Sequence, residues 1–143
     1  MDTILIGHEL DFLIRIAVCL VCGTTIGVER ELRHKPAGIS TNCFVIAGAC
    51  LFTFISQEVD PNSPARIAAQ VVSGIGFLGA GMILKAGDKV TNLTTAASVW
   101  FAAAIGMSIG MGWYLIAGIA SVYAIVVPRI PHVKSWRREA SDE

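Results

Sequence analysis

Five long apolar stretches constrain this chain more than any other feature. They run over about Leu10–Val28, Gly38–Ser56, Ile67–Leu84, Leu93–Ile109 and Met111–Val127. A helix crosses the hydrocarbon core of a bilayer with roughly 17–25 apolar residues, and each stretch reaches that length, the last two only just. None has the period-2 alternation of a half-buried strand, so helix is the expected form. The breaks carry turn residues: His34-Lys35-Pro36, Asp60-Pro61-Asn62-Ser63-Pro64, Ala86-Gly87-Asp88-Lys89 and the glycines from Gly106 to Gly112. Charged residues make up 15% of the chain, against ~25% in an average soluble domain. That is too few to cover a water-facing surface and enough to mark loops between spans. The expected fold class is all-α: a polytopic transmembrane bundle of five spans, with the transmembrane domain over residues 1–128 and a basic cytoplasmic tail over 129–143.

The distribution of charge gives an orientation. Basic residues collect on the cytoplasmic side of a membrane. The first connection holds Arg30, Arg33 and Lys35, and the third holds Lys85 and Lys89. The tail holds Arg129, Lys134, Arg137 and Arg138. The second connection holds Glu58 and Asp60, with Arg66 opening the next helix, and the fourth holds no charge. This alternation is what five spans with the N-terminus outside and the C-terminus inside would give. A four-span arrangement would place the basic tail outside. The N-terminus does not read as a secretory signal, because Asp2, Glu9 and Asp11 stand where a positive region belongs. The net charge is zero, and no nucleic-acid partner is expected.

The third stretch contains Gly74-x-Gly76-x-x-Gly79, the glycine spacing of a dinucleotide-binding loop, which requires a preceding strand. Here the glycines, with Gly81, sit inside a membrane-length apolar run, where glycines bring helix backbones together. Gly23-x-x-x-Gly27 and Gly106-x-x-x-Gly110 read as further close-packing faces. Two such faces are more than five helices obviously need, so a homo-oligomer, a dimer or larger, is expected.

Helical spacing gathers the polar residues inside the spans into stripes. Asp11 and Arg15 are four apart, in the better orientation for an ion pair, and Cys22, Thr25, Glu29 and Arg33 continue that face. Arg66, Gln70 and Ser73 share a face with Gly74, Phe77 and Gly81, and Thr94 and Ser98 share one below Asn92. The plain alternative for each is structural. Arg15 pairs with Asp11 or reaches outward, Gln70 bonds a neighbouring helix, and Thr94 and Ser98 bond their own backbone. Cys19-x-x-Cys22, Cys43 and Cys50 read as small buried hydrophobes rather than as a metal or redox motif. Trp100, Trp113 and Tyr114 suit membrane interfaces or packing. Trp136 and the basic tail suit an anionic leaflet. Glu29 and Glu31 form a close carboxylate pair at a span end, so they are the candidate metal ligands, without a metal site being assigned. No phosphate-binding loop of the GxxxxGK type, metalloprotease histidine pair or nucleophile elbow is present, and no catalytic residues are assigned.

Four segments resemble the MgtC/SapB family of bacterial membrane proteins: IGVERE (Ile26–Glu31), KPAGISTN (Lys35–Asn42), ARIAAQVVSGIGFLGAGMIL (Ala65–Leu84) and NLTTAASVWFAAAIGMSIGMG (Asn92–Gly112). The resemblance implies a multi-pass protein of the bacterial inner (plasma) membrane with a cytoplasmic C-terminus. It also implies a link to growth in low magnesium, to virulence in some pathogens and to modulation of membrane ATPases. By position, the family-like polar residues are Glu29, Arg30, Glu31, Arg66, Gln70, Thr94 and Thr95. Ile39 and Ser40 stand where a leucine-arginine pair is usual, which removes one cationic group from the inner face. Longer members carry a soluble C-terminal domain. This chain ends at Glu143, so regulation through such a domain is expected to be absent or to reside in a different polypeptide.

Three functions follow as expectations. The leading one is a non-enzymatic membrane regulator that packs against itself or a partner such as a membrane ATPase, with the bilayer as solvent. No cofactor is expected; magnesium enters as a candidate ligand or signal. The alternative is an ion transporter or channel, with Mg²⁺ a candidate ion. Arg15, Glu29, Arg30, Glu31, Arg66, Gln70, Ser73, Thr94, Thr95 and Ser98 would serve as its ion path, or as partner-facing residues on the first reading. The glycine-rich third helix is expected to be broken, which supports the transporter, because discontinuous helices mark transporter sites. A soluble nucleotide enzyme comes third.

Overall fold

The computed structural model describes residues 7–59, 62–63, 65–86 and 89–130. Most of the second connection, the Gly87-Asp88 pair and the tail beyond 130, with Lys134, Trp136, Arg137 and Arg138, lie outside the described residues. Five helices form: α1 (Glu9–Leu32), α2 (Ile39–Val59), α3 (Ala65–Met82), α4 (Leu93–Gly110) and α5 (Tyr114–Val126), which runs on into a 3-10 turn at Val127–Arg129. Among the described residues α1, α2 and α4 are each long and apolar enough to cross a membrane, and Ala68–Met82 and Tyr114–Arg129 are shorter apolar helices.

The helix ends follow local chemistry. Glu9 and Asp11 lie in the first turn of α1 and Arg30 in its last, the signs that complement the helix dipole. Asn92 precedes α4 in the left-handed region, φ 64°, which asparagine tolerates better than most residues. Gly112, at φ 78°, supplies the reversal between α4 and α5 that a side chain would strain.

One element departs from the all-α expectation. Between α3 and α4 the chain makes a small antiparallel hairpin, β1 (Leu84–Ala86) and β2 (Lys89–Thr91), in which Leu84 faces Thr91 and Lys85 faces Val90. Three-residue strands are too short to show alternation. The usable signal was the two-residue Gly-Asp spacing, which suits a tight hairpin turn.

α2 is the centre of the packing. Gly23 and Gly27 lay α1 directly on its backbone: a Cβ at Gly23 would stand 2.7 Å from the Cα of Cys43, and one at Gly27 would strike the Cα of Ile39. On the other side Gly106 and Gly110 lay α4 against it. A Cβ at Gly106 would meet the carbonyl oxygen of Ile46, and one at Gly110 would stand 2.7 Å from that of Cys50. Ile46, Cys19, Cys50, Ile105 and Ile109 are fully buried between the three helices. The four cysteines are free, and Cys19, Cys22 and Cys50 are core residues.

This arrangement corrects the basis for expecting a homo-oligomer. Both G-x-x-x-G faces are occupied within one chain, because α2 needs one on each side. α3 is also one unbroken helix, not the broken helix a transporter site would favour. Its Gly74, Gly76 and Gly81 have nothing near them, and only Gly79 approaches a neighbour, Ala96 of α4, at 3.8 Å.

The outward surface is that of a membrane protein. Phe44, Phe77 and Leu115 are 79%, 81% and 78% exposed, a display that water would penalise and lipid tails would not. Inside, the Thr53 hydroxyl is fully buried with no hydrogen-bond partner among the described residues. Thr53→Val keeps the shape and removes an unmet polar group, so it is expected to leave the melting temperature in detergent unchanged or raised. A drop of several degrees would show that the hydroxyl has a partner.

Candidate functional site

The two ends of the bundle are built differently. At one end α1 begins, α2 finishes and α4 meets α5. His8 lies 3.6 Å from the carboxylate of Glu58, tying the start of α1 to the end of α2. Arg15 pairs with Asp11 at 2.6 Å and donates from Nη1 to the carbonyls of Ile109, at 3.2 Å, and Gly110. The expected i,i+4 pair is therefore present, and the same guanidinium also closes the last turn of α4.

The opposite end gathers the basic connections around a cavity of ≈ 540 Å³. The C-terminal turn of α1 and the following loop supply Arg30, Arg33 and Lys35. The start of α4 supplies Asn92, Thr94 and Thr95, and Val127 and Pro128 close one wall. Arg30 is only 3% exposed. Its Nε donates to the carbonyl of Pro36 at 2.9 Å and its Nη2 to the hydroxyl of Thr95 at 2.8 Å, so one side chain ties the first connection to α4. Asn42 holds the same connection, donating from Nδ2 to the carbonyls of Ala37 at 2.7 Å and Gly38 at 2.9 Å.

The carboxylates at this end do not converge. Glu29 is buried and pairs with Arg33 at 3.3 Å and Arg129 at 3.6 Å. Glu31, exposed, accepts the backbone N–H of Ile39 at 2.9 Å and so caps the start of α2. Residues two apart on a helix point to different sides, which is why the candidate pair Glu29 and Glu31 is not brought together. Among the described residues no three His, Cys, Asp or Glu side chains cluster in a way that could hold a metal.

The structure brings Arg30 together with Thr95 and places Thr94 beside them, but Gln70 lies elsewhere. It lines a separate cleft of ≈ 470 Å³ between α2, α3 and α4, whose other walls are apolar side chains such as Phe44, Phe52, Ile75 and Leu78. The two cavities share no lining residue. Gln70 stands twelve residues before the end of α3, roughly 18 Å along the axis from the hairpin end. Arg66, Gln70 and Ser73 are all exposed on α3. Ser98 donates to the carbonyl of Thr95 at 2.7 Å, the backbone bond that serine and threonine commonly make on helices.

Asn42 carries no motif that marks its role in the sequence. It follows the loop that ends at Gly38 by four residues, the spacing at which a side-chain amide can return to the loop carbonyls; that was the available signal.

Comparison with known proteins places these features in a family. A sequence model of the MgtC family matches residues 16–133. The chain is similar to protein MgtC of Brucella abortus (strain 2308), 47% identical over 113 residues that cover 78% of this chain and 48% of that one. It is also similar to protein MgtC of Salmonella typhimurium (strain 14028s / SGSC 2262), 43% identical over 111 residues with the same two shares, 78% and 48%. An uncharacterized protein of Haemophilus influenzae is 42% identical over 134 residues, 85% of this chain and 56% of that one. The chain thus spans about half the length of the curated relatives it matches. No solved structure matches.

Proposed function

The chain belongs to the MgtC family, and from that premise we propose that it is a non-enzymatic, multi-pass protein of the bacterial inner membrane that adjusts a partner membrane complex, a membrane ATPase, during adaptation to low magnesium. Five spans with an outside N-terminus and a cytoplasmic C-terminus fit this reading. Arg33 of the first connection, Val90 of the hairpin and Pro128 after α5 line one cavity, so both basic connections and the start of the basic tail meet at one end of the bundle. His8 and Glu58 meet at the other.

The observation that carries the reading is the outward face of α3. Gln70 is exposed and has no hydrogen-bond partner among the described residues. Beside it Gly74, Gly76 and Gly81 leave the backbone open, and Phe77 projects. Lipid tails offer an amide nothing to bond. A second transmembrane helix offers it a carbonyl, for ~0.6 kcal/mol on average and up to ~1.7, and glycines allow the close approach this needs. The face fits a helix of the partner complex.

A photo-crosslinking side chain introduced at Phe77 is expected to join the chain to a subunit of another membrane complex in cells grown at low magnesium. Gln70→Leu should weaken that crosslink several-fold without lowering the melting temperature of the purified chain. A product containing only a second copy of this chain would make α3 a homodimer face and sink the ATPase partner. Saturable ion flux by the purified chain in liposomes, abolished by Gln70→Ala, would favour the transporter. Against transport stand the apolar walls around Gln70 and the separation of the two cavities.

A further inference from the structure

We propose that the cavity at the basic end of the bundle is a binding site for a phosphate-bearing anion, held between the end of α1, the first connection and the N-terminus of α4. Buried charges are normally answered by an opposite charge. Arg30 is 3% exposed, yet no carboxylate lies within ion-pair distance of it among the described residues. Its partners, the Pro36 carbonyl and the Thr95 hydroxyl, are neutral. Glu29, the buried carboxylate nearby, attracts Arg30 only from beyond ion-pair distance and is itself shared between Arg33 and Arg129, and Glu31 is engaged at the start of α2. Lys35 adds a further cation to the lining.

The second source of positive potential is independent of these side chains. α4 is 18 residues long and opens into the cavity through Asn92, Leu93, Thr94 and Thr95. The first amides of a helix have no partner within it, and the side chain of Asn92 makes no capping bond. Uncapped amides at the positive end of the dipole are anion ligands. The Thr94 hydroxyl, exposed in the same wall, is a further donor. A guanidinium, an ammonium, a hydroxyl and helix amides converging on a space of ≈ 540 Å³ match the oxygens of a phosphate. Val90, Leu93, Val127 and Pro128 form apolar walls beside them, suited to the glycerol and upper acyl part of a phospholipid whose headgroup enters at the level of the helix ends. The arrangement repels a bare divalent cation and attracts an anion.

Two sources share this chemistry, an anionic lipid headgroup and free phosphate. The full chain in dodecyl maltoside would be titrated with dihexanoyl phosphatidylglycerol, with dihexanoyl phosphatidylcholine, and with potassium phosphate against potassium chloride at equal ionic strength. The readout is the melting temperature, which rises with occupancy of any ligand that binds only the folded state. Saturable stabilisation by phosphatidylglycerol but not by phosphatidylcholine or phosphate identifies a lipid site. Saturable stabilisation by phosphate as well, competing with the lipid, identifies a general phosphate site. Both outcomes support the proposal. Arg33→Gln combined with Lys35→Gln should raise the apparent Kd on the order of tenfold, the consequence of ~1.4 kcal/mol. If loss of the Arg33–Glu29 pair unfolds the double variant, Lys35→Gln alone, at an exposed position, should still weaken binding several-fold. Equal shifts with the two lipids and none with phosphate, or a Lys35→Gln variant that binds as the unaltered chain does, would overturn it.

Discussion

Gly106→Ala is expected to lower the stability of the bundle more than any other added methyl group in α3, α4 or α5. A Cβ there would collide with the carbonyl oxygen of Ile46 and stand 2.9 Å from its carbonyl carbon. These are backbone atoms of α2, fixed by that helix's own hydrogen bonds, so relief requires moving α4 away from α2. Separation would loosen Ile46, Ile105 and Ile109 together, all fully buried at this contact. Overpacking of this kind costs ~1–3 kcal/mol and occasionally more, and Gly106→Leu should exceed Gly106→Ala. The control lies in the same chain. A methyl group added at Gly76 or Gly118 would have nothing within 4 Å of it, and alanine is the better helix former by ~1 kcal/mol. Gly76→Ala and Gly118→Ala should therefore melt at or above the temperature of the unaltered chain. Thermal denaturation in dodecyl maltoside separates the two groups. A Gly106→Ala variant that melts with the controls would mean α2 and α4 do not touch along this line.

That contrast shows what the sequence carries and what it omits. A four-residue glycine spacing fixes a face of a helix, because side chains four apart lie above one another. It does not say which helix the face meets, and Gly23, Gly27, Gly106 and Gly110 meet α2 of the same chain rather than another copy. The third stretch reads the same way in isolation, yet Gly74, Gly76 and Gly81 remain open. The positions of the five helices were legible because the length of an apolar run is a local property, although among the described residues only α1, α2 and α4 are long and apolar enough to cross a membrane. α5 is the shortest helix, over Tyr114–Val126, since Gly112 and Trp113 belong to the turn rather than to the predicted span.

The candidate site was legible in its composition and less so in its geometry. Arg30 reads as a loop cation beside Arg33, yet it is buried. The signal was present in helical spacing: Arg30 follows Gly23, Ile26 and Gly27 by seven, four and three residues, which puts it on the packed face of α1. Its acceptor Thr95 lies 65 positions away, beyond any local pattern. Glu29 and Glu31 illustrate the reverse: adjacency in sequence suggested a pair, and the helix turned them apart.

Arg15→Ala is the second large effect expected. An unpaired arginine in hydrocarbon costs ~2.5–3.5 kcal/mol on insertion scales, so this side chain persists only because it is answered. Asp11 takes Nε at 2.8 Å and Nη2 at 2.6 Å, and the carbonyls of Ile109 and Gly110, 94 and 95 positions away, take Nη1. The guanidinium carbon also stands 5.2 Å from the centre of the Phe54 ring, within cation–π range. One residue of α1 therefore closes the end of α4 and touches α2. The last carbonyls of a helix have no partner in it and form the negative end of its dipole. Removing Arg15 leaves the Gly110 carbonyl without a donor among the described residues, while the Ile109 carbonyl keeps the N–H of Gly112 at 2.9 Å, and a hydrogen bond from a charged donor contributes ~1.5–3 kcal/mol. Arg15→Ala should cost about that much. Arg15→Lys should recover part of it, because an ammonium keeps the charge without the planar fork that reaches Asp11 and α4 together. Asp11→Asn should cost less than either, since its carboxylate is 45% exposed and exposed pairs contribute little. Melting temperatures in that order, with Arg15→Ala lowest, would establish the guanidinium as the clasp between α1 and α4. If Arg15→Ala melts unchanged while the crosslink through Phe77 proposed above is lost, the clasp is wrong and Arg15 acts on a partner or an ion instead.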